Sequence, residues 1–402
     1  MTLLFLADVS GRGAHVGDEA MLEANIALFR RLLPGCRIAV AAGPEWDGSR
    51  LKVEAVPRLE FPRDSETARD TLLQTPDPAH PAVRAALACD ALIISGGGNL
   101  CGTWPHHICE RLAMARLAAS HGAPVILLGQ TLGPAFRERE RALVSELLRL
   151  SAWVGIRETY SYALALELGA AHDTLSYQPD DATFLAPERA PADVLEKLGV
   201  NGTQPWIAVT VHPIGEMSVH NPVIAQFASS LRSLAKATAA HLVFLPHVAF
   251  ENRGDTPDDA EFGALIARAL YDNPPLRIAP ILPAAQALWL TQQAALVIST
   301  RYHPLVFALA ASVPALAIWS DEYTRKKSQG ALIHARRPAD AMPLEDMLAG
   351  RLAAKAIEMW QTRDAVKMEL QNRAAIWRET EEVRAAKLKN RLRSLLDCAA
   401  GK

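Results

Sequence analysis

The chain has 402 residues, of which 50% are hydrophobic and 21% are charged. This is a normal balance for globular proteins, and the length suits two domains. The formal net charge of −2 argues against a dedicated nucleic-acid-binding protein, because no excess of cations is available to neutralise phosphates.

The cysteines and the N-terminus indicate a chain that stays in the cytoplasm. Five cysteines, an odd number without a paired framework, are more typical of a reducing compartment than of secretion. The apolar N-terminus lacks a basic segment and is interrupted by Asp8, so a first β-strand is a better interpretation than a signal peptide. The sequence has no uninterrupted apolar run of about 18 residues, and we therefore expect no transmembrane helix.

The first half of the chain alternates strand-like and helical patterns, which is typical of parallel sheets wrapped by helices. Strands are predicted at 3–7, 37–41, 91–95, 125–129 and 153–156. Helices are predicted between them at 18–33, 106–121 and 138–151. Residues 43–88 are rich in Pro, Asp and Arg and poorly periodic, so we expect a loop-bearing insertion there.

The second half repeats this pattern after a linker predicted at 186–192. Its strands are predicted at 206–211, 241–245, 276–279, 296–298 and 315–319. Beyond about residue 340 the sequence is helical and charged, with an apolar stripe expected from Trp360, Leu370, Ile376 and Trp377. The predicted fold is therefore α/β, with two Rossmann-like domains facing one another across a cleft (residues 1–190 and 191–338) and a helical tail (339–402).

The strongest functional signal is a strand–turn–helix segment at residues 297–318. Arg301 and His303 lie where the strand ends and the helix begins, with Pro304 suited to the first helical position. Ligands of open α/β sheets bind outside the carboxyl ends of the strands. A guanidinium, an imidazole and a helix N-terminus at that place predict an anion site. His247, which follows an earlier strand, is a weaker candidate for the same cleft. For both His303 and His247 the alternative is a purely structural role.

A glycine-rich turn near the N-terminus leads into a helix at Asp18. This aspartate could simply cap the helix. Alternatively, backbone N–H groups of the turn contact a ligand while Asp18 acts as a base or accepts a hydrogen bond from a sugar hydroxyl.

Polar and small residues follow three further strands of the first half. Gly96, Gly97 and Gly98, with Asn99 after them, allow close backbone approach to a ligand. They have neither the spacing of a dinucleotide fingerprint nor the lysine of a phosphate-binding loop. Gln130 could donate to hydroxyls or carboxylates, or merely end a strand.

Arg157 comes directly off a strand, where its guanidinium would point into the cleft. A surface pair with Glu158 is the alternative.

The sequence shows no metal-binding pattern and no nucleophile motif. Cys101, His106, His107 and Cys109 are close together in sequence, but no second Cys-x-x-Cys pair accompanies them, as a structural zinc site would require. We find neither a Gly-x-Ser-x-Gly elbow nor a cysteine-nucleophile signature. We therefore predict no metal and no bound cofactor.

Taken in order, these segments resemble the polysaccharide pyruvyl transferase family. The resemblance spans about residues 5 to 330. It is carried by residues 17–20, 95–99, 129–134, 157–161, 179–184, 245–247, 299–303 and 313–318, with Asp321, Tyr323, Lys326 and Gly330. Three sites depart from the usual family pattern: His15 stands where the family tends to have Asn, Glu158 replaces Asp, and Tyr302 and Pro304 flank His303.

The resemblance implies a GT-B-like fold and transfer of pyruvate from phosphoenolpyruvate to two sugar hydroxyls as a ketal, with release of phosphate. The acceptor would be a polysaccharide or a lipid-linked precursor, placed on the side of residues 1–190, and the donor on the side of 191–338. A peripheral association with polysaccharide-assembly machinery is compatible with this function.

The resemblance also implies roles for individual residues. Arg301 would hold one anionic group of the donor and Arg157 the other, while His303 would supply a proton. Asp18 is the first candidate for the base, and His247 the alternative. Further substrate-binding residues would be Gly97, Gly98, Asn99, Gln130 and Lys326.

Two other functions remain open on the sequence. A GT-B glycosyltransferase using a nucleotide sugar would share the architecture, with Arg301 on the diphosphate. A non-catalytic member of the family could instead bind glycans within a polysaccharide-assembly complex. The acceptor sugar, the ketal linkage and the oligomeric state are not encoded in any motif that we recognise.

Overall fold

The computed structural model describes residues 1–9, 13–43, 45–250, 258–271 and 273–400. Two residues of the N-terminal glycine-rich turn, Gly11 and Arg12, lie outside this part of the chain. The chain divides into two compact units. The first contains Met1–Gly11, Met21–Asp181 and Arg378–Lys402, and the second contains Arg12–Ala20 and Ala182–Trp377.

The described residues form strands and helices that alternate along most of the chain. In chain order the strands are β1 (Thr2–Leu6), β2 (Gly13–His15), β3 (Arg37–Ala42), β4 (Glu54–Pro57), β5 (Ala91–Ile94), β6 (Gly97–Leu100), β7 (Val125–Leu132), β8 (Ser151–Ile156), β9 (Leu175–Tyr177), β10 (Trp206–Thr210), β11 (His241–Phe244), β12 (Val248–Phe250), β13 (Leu276–Ile278), β14 (Leu296–Ser299), β15 (Ala315–Trp319) and β16 (Ala341–Pro343). The helices are α1 (Val16–Leu32), α2 (Glu66–Gln74), α3 (Pro81–Ala88), α4 (Pro105–Ser120), α5 (Glu138–Leu150), α6 (Thr159–Glu167), α7 (Ala192–Lys197), α8 (Pro222–Thr238), α9 (Asp259–Leu270), α10 (Ala284–Thr291), α11 (Tyr302–Ala310), α12 (Glu322–His334), α13 (Leu344–Leu348) and α14 (Leu352–Ala400). Among these helices, none combines the length and the apolar character that crossing a bilayer requires.

The first unit is built on a parallel sheet with the strand order β4-β3-β1-β5-β7-β8-β9, and β6 pairs with β7. Both faces of its central strand are buried. Leu4 and Leu6 of β1 belong to one apolar cluster, whereas Leu3 and Phe5 belong to another. Parallel strands covered on both faces read as continuous apolar runs, which is why the sequence predicts these strands well.

The second unit has a parallel sheet with the strand order β13-β11-β10-β14-β15-β16. A separate two-stranded antiparallel ribbon joins β2 to β12, with His15 opposite Val248. In both large sheets the strand order reverses next to the first strand of the sheet, as in doubly wound nucleotide-binding folds. In the second unit this switch point lies between β10 and β14. The predicted α/β class with parallel sheets is confirmed.

Residues 43–88 are more regular than the sequence analysis expected. They supply the edge strand β4, paired with β3, and the helices α2 and α3. Arg69 of α2 is only 4% exposed because its guanidinium donates to the carbonyl oxygens of Pro62 and Arg63. A buried arginine within a short helix weakens the apolar period on which the sequence prediction relied.

The predicted helical tail is also confirmed, and its last helix, α14, runs for 49 residues. Trp360, Leu370 and Trp377 of the predicted stripe are buried, but Ile376 is 43% exposed. The prediction for Ile376 was wrong because it lies about 100° around the helix from its neighbour Trp377. Trp360 joins the apolar core of the second unit, and Leu388 and Leu392 join a core cluster of the first.

Candidate functional site

Polar side chains of the second unit gather at the carboxyl ends of its central strands. His212 follows β10, His247 follows β11, and Arg301 with His303 follows β14. Strands β10 and β14 are the neighbours that flank the switch point, where open α/β sheets bind their ligands. Sequence position alone predicts three of these four residues, and the topology adds His212.

Arg301 is held in a defined orientation by a buried carboxylate. Its Nε and Nη2 atoms donate to Oδ1 of Asp259 at 3.1 and 2.5 Å. Asp259 is fully buried, whereas the Arg301 side chain keeps 26% of its exposure. Ser299 Oγ accepts from the backbone N–H of Arg301 at 2.9 Å and fixes the start of the turn. One edge of the Arg301 guanidinium is therefore hydrogen-bonded to Asp259, and the side chain remains partly exposed to solvent.

The same carboxylate orders the segment that carries His247. Oδ2 of Asp259 accepts from the backbone N–H groups of His247 and Val248, each at 3.0 Å. Asp259 is the first residue of α9, where a carboxylate is favoured by the helix dipole. A single acidic side chain thus couples the orientation of Arg301 to the turn between β11 and β12.

His303 lies against the backbone of the N-terminal segment. A Cβ atom built on Gly17 would overlap the His303 ring, with Nδ1 and Cγ nearest. The Val16 N–H group donates to the His247 carbonyl oxygen at 3.0 Å. The start of α1 therefore contacts both predicted histidines, and only glycine fits at position 17.

His15 and Asp18 form a hydrogen-bonded pair beside this contact. His15 Nδ1 lies 2.9 Å from Asp18 Oδ2, and the side chains are 46% and 19% exposed respectively. Removal from water opposes a charge on His15, but the hydrogen bond and charge of Asp18 outweigh it and raise the pKa of His15 above its ordinary value. Asp18, predicted as a base, is the less accessible member of the pair.

His247 is a neutral imidazole. Its side chain is buried against Phe307, with ring centroids 5.3 Å apart. Burial, together with the neighbouring His303, Arg301 and His15, lowers its pKa well below the ordinary value. Neither ring nitrogen has a hydrogen-bond partner among the residues that the structure describes, so either nitrogen could bond to a ligand.

His212 is a second neutral imidazole that the sequence analysis missed. Burial and the charge of Arg301 lower its pKa to about 4, with Asp321 opposing and Lys327 adding to the effect. Its Nδ1 lies 2.8 Å from Thr300 Oγ1. The signal was available in the sequence, since His212 follows a predicted strand just as His247 does.

Two lysines of α12 are further cations of the second unit. The Lys327 ammonium lies 4.0 Å from the ring centroid of Tyr323 and 5.4 Å from that of Tyr302. Tyr302 is the residue before His303. Lys326, the predicted substrate-binding lysine, lies 3.4 Å from Glu322 and is 17% exposed. The geometry therefore adds Lys327 to the cations near the anion site.

The glycine-rich segment of the first unit lies beside an ion network. Gly97, Gly98 and Asn99 form part of β6, and the Asn99 amide donates to Asp8. Although burial raises it, Arg111, His107 and Arg58 together lower the pKa of Asp8 well below its ordinary value. The predicted residues Gly97, Gly98 and Asn99 thus lie next to a carboxylate that is already paired.

Asp8, His107 and Glu110 are close enough to share a metal ion, but an arginine holds them instead. Arg58 Nη2 lies 2.8 Å from Asp8 Oδ1 and 3.3 Å from His107 Nδ1, and it also bonds to Glu110. A guanidinium bonded to both carboxylates leaves them little charge to offer a metal. These three residues do not fit a metal site while Arg58 keeps this position.

Arg157 and Gln130 lie deep in the first unit. Arg157 is 2% exposed, and its guanidinium bonds to Asp180, to Thr131 at 2.8 Å and to Glu158 at 3.1 Å. Gln130 donates to the carbonyl oxygens of Ser95 and Leu128 at 2.9 and 2.7 Å. Direct contact of either side chain with a substrate stays a prediction.

The predicted residues are therefore distributed between the two units. Asp18, His247, Arg301, His303 and Lys326 belong to the second unit, and Gly97, Gly98, Asn99, Gln130 and Arg157 to the first. Four residues of the site were not predicted from sequence: His15, His212, Asp259 and Lys327. Asp259 left no recognisable signal, because an aspartate at a helix start is usually an exposed capping residue.

Comparison with known proteins supplies the classification. A model of the polysaccharide pyruvyl transferase family matches residues 15–322, which include every residue of the second-unit site except Lys326 and Lys327. The chain belongs to the polysaccharide pyruvyl transferase family. Membership makes it a transferase with a sugar acceptor in general terms. A search of curated individual proteins finds no match.

Solved structures share the fold of this pyruvyl transferase family member at low sequence identity. Anabaena Alr3699/HepE in complex with UDP has a TM-score of 0.58 at 13% identity, covering 99% of this chain and 100% of that one. S. aureus MnaA with UDP has a TM-score of 0.57 at 8% identity, covering 92% and 90%. The Neisseria meningitidis UDP-GlcNAc 2-epimerase bound to UDP-GlcNAc has a TM-score of 0.54 at 14% identity, covering 94% and 99%. These similarities show a GT-B-like fold and nothing about the substrate.

Proposed function

We propose that this family member transfers pyruvate from phosphoenolpyruvate to two hydroxyls of a sugar, forming a ketal and releasing phosphate. The observation that carries the proposal is the pairing of Arg301 with Asp259 at the carboxyl end of β14, beside His303. An arginine fixed in this way presents a planar set of donors suited to a carboxylate or a phosphate.

The donor carries both a phosphate and a carboxylate, so its site needs more than one cationic or N–H donor. Arg301 is the first such group, and the N-terminus of α11 lies directly after it. Lys326 and Lys327 of α12 are the candidates for the second anionic group. Arg157 was proposed for this role from sequence. Because its guanidinium is buried, it would act on the donor through the residues to which it bonds.

Proton transfer is the chemical requirement of the reaction. Protonation of the enol methylene carbon makes the neighbouring carbon electrophilic, and an imidazole is a suitable acid near neutral pH. His303 is the residue proposed for this step. A base must remove the proton of the attacking hydroxyl, for which Asp18 and His247 are the sequence-based candidates.

The test is release of phosphate from phosphoenolpyruvate against a panel of sugar acceptors. Arg301→Ala should raise the KM for phosphoenolpyruvate, and His303→Ala should lower kcat by about 10²–10⁴-fold. Arg277→Ala, an exposed arginine of β13 in the same unit, serves as the matched control and should leave both constants unchanged. Full activity of the Arg301 and His303 variants would refute the assignment of the site.

A thermal-shift comparison separates the proposal from the two alternatives. Stabilisation by phosphoenolpyruvate, but not by UDP- or GDP-sugars, is expected. Stabilisation by a nucleotide sugar alone would favour a glycosyltransferase. Glycan binding without phosphate release from any acceptor would favour a non-catalytic member of a polysaccharide-assembly complex.

A further inference from the structure

We propose that His15, held by Asp18, is the general base that takes the proton from the attacking sugar hydroxyl. The assignment rests on the proposed pyruvyl transfer and changes one part of it: Asp18 orients the base and does not itself act as the base. His15 stands at a position where the family tends to have another residue, so the assignment concerns this chain in particular.

The geometry of the pair divides the two roles. His15 Nδ1 is the nitrogen that faces Asp18 Oδ2, at 2.9 Å. When an ionised carboxylate accepts a hydrogen bond from Nδ1–H, the imidazole is fixed in the tautomer whose Nε2 can accept a proton. The His15 side chain is 46% exposed and that of Asp18 is 19% exposed, so the imidazole is the more accessible member.

The backbone places His15 among the other reacting groups. It is the last residue of β2 and pairs with Val248, the residue after His247. Two positions further along the chain, Gly17 lies against the His303 ring. The proposed acid therefore contacts the same short N-terminal segment that carries the proposed base.

The charged groups around His15 favour a base that works near neutral pH. Asp18 and Asp259 raise its pKa, whereas removal from water and the charge of Arg301 lower it, and the net result lies above the ordinary value. His247 is a neutral imidazole nearby, and Glu19 accepts from the His15 backbone N–H at 3.4 Å. A base is most effective when its pKa lies close to the working pH.

The proton balance of the reaction closes without a co-reactant. The first hydroxyl gives its proton to His15 Nε2 while its oxygen bonds to C2 of the donor, and C3 takes a proton from His303. The second hydroxyl then bonds to C2 as the bond from C2 to the phosphate oxygen breaks, and its proton goes to the leaving phosphate. His15 afterwards releases its proton to solvent and His303 takes one up, which restores both imidazoles. The two protons lost by the hydroxyls equal the one gained by the methyl group and the one gained by phosphate.

The experiment compares His15→Asn and Asp18→Asn with the wild type in phosphate release across pH. In the wild type kcat should rise with pH through the raised pKa of His15, because the base must be unprotonated. His15→Asn should lower kcat by about 10²–10⁴-fold, change KM little and abolish this rise. Asp18→Asn should move the rise to lower pH. His172→Asn, an exposed histidine of the first unit, is the control and should behave like the wild type.

The outcomes separate the inference from the function on which it rests. A folded His15→Asn variant with nearly full kcat and an unchanged pH profile overturns the assignment of His15 and leaves the proposed function intact. A wild type that releases no phosphate with any acceptor overturns both. An NMR titration of the imidazole gives a readout without substrate: a midpoint of His15 that Asp18→Asn does not move would refute the pair.

Discussion

Gly17 and His303 are separated by most of the chain, yet the backbone of one lies directly against the imidazole of the other. Any side chain at position 17 would occupy space that the His303 ring fills. The contact therefore fixes the position of the proposed acid from the side of the N-terminal segment.

Replacing Gly17 by alanine should displace His303. Forcing an extra methyl group into packed structure costs about 1–3 kcal/mol, and the ring is the neighbour that must move. We expect a lower melting temperature and a fall in kcat that exceeds the change in KM. Gly202→Ala is the control, because a Cβ atom at that exposed glycine meets nothing within 4 Å. Equal effects of the two substitutions would contradict the proposed contact.

Asp259→Ala should destabilise the second unit strongly. It would leave Arg301 without its carboxylate and remove the acceptor of the His247 and Val248 N–H groups. Loss of one partner of a buried ion pair costs roughly 3–5 kcal/mol. The lower end of that range is expected here, because Arg301 is 26% exposed. Urea unfolding measures the loss.

The neighbouring residue provides a matched control for this substitution. Asp258 caps α9 by accepting from the Glu261 N–H group at 2.9 Å. Removal of an N-cap costs about 1 kcal/mol, so Asp258→Ala should be the milder variant. A larger loss of stability in Asp258→Ala than in Asp259→Ala would show that the bonds of Asp259 to Arg301 and to the His247 and Val248 N–H groups contribute little to stability.

Asp181 should make the stability of the chain depend on pH. This carboxyl is 1% exposed, and burial raises its pKa to about 6, although Arg384 opposes the effect. The folded state therefore binds the proton more tightly than the unfolded state. The corresponding stabilisation is present at low pH and is lost as pH rises through about 6.

Asp181→Asn removes this dependence, because the amide stays neutral. Relative to the wild type, the variant should gain on the order of 2–3 kcal/mol of unfolding free energy between pH 4 and pH 8. Urea unfolding at the two pH values measures the difference. Asp173→Asn, which alters an exposed pair with Arg391, is the control. A wild-type stability that rises over this interval by more than that of Asp181→Asn would give the opposite sign and refute the argument.

Metal ions should have no effect on the wild-type first unit. Because Arg58 already bonds to Asp8 and Glu110 and lies beside His107, neither Zn²⁺ nor EDTA should shift its melting temperature. Arg58→Ala removes the guanidinium from Glu110 and His107 and leaves Asp8 with Arg111 and Asn99, so Zn²⁺ should stabilise the variant more than the wild type. Stabilisation of the wild type by Zn²⁺ would show that the ion can displace Arg58.

The parallel sheets could be predicted because their strands are short apolar runs with turn residues at their ends. The same logic located Arg301, His303 and His247, since each follows such a strand. Short strands with few apolar residues were missed. β6, for example, consists of Gly-Gly-Asn-Leu and carries no apolar alternation.

The contacts that organise the site could not be predicted, because they join distant parts of the chain. His15 reaches the site through the pairing of β2 with β12, and Asp259 meets Arg301 across 42 positions of sequence. Arg157 shows the limit of local reasoning in another way. Its place after a strand predicts a guanidinium that points into the cleft. In the structure Arg157 is 2% exposed and pairs with Asp180 and Glu158.

The pairing of β2 with β12 has a practical consequence for protein engineering. The second unit includes residues 12–20 as well as 182–377, so its site is encoded by two separate parts of the gene. A chimera that exchanges only residues 182–377 between family members would combine Gly17 from one parent with His303 from the other. Functional exchange of the second-unit site therefore requires that the short N-terminal segment be transferred together with residues 182–377.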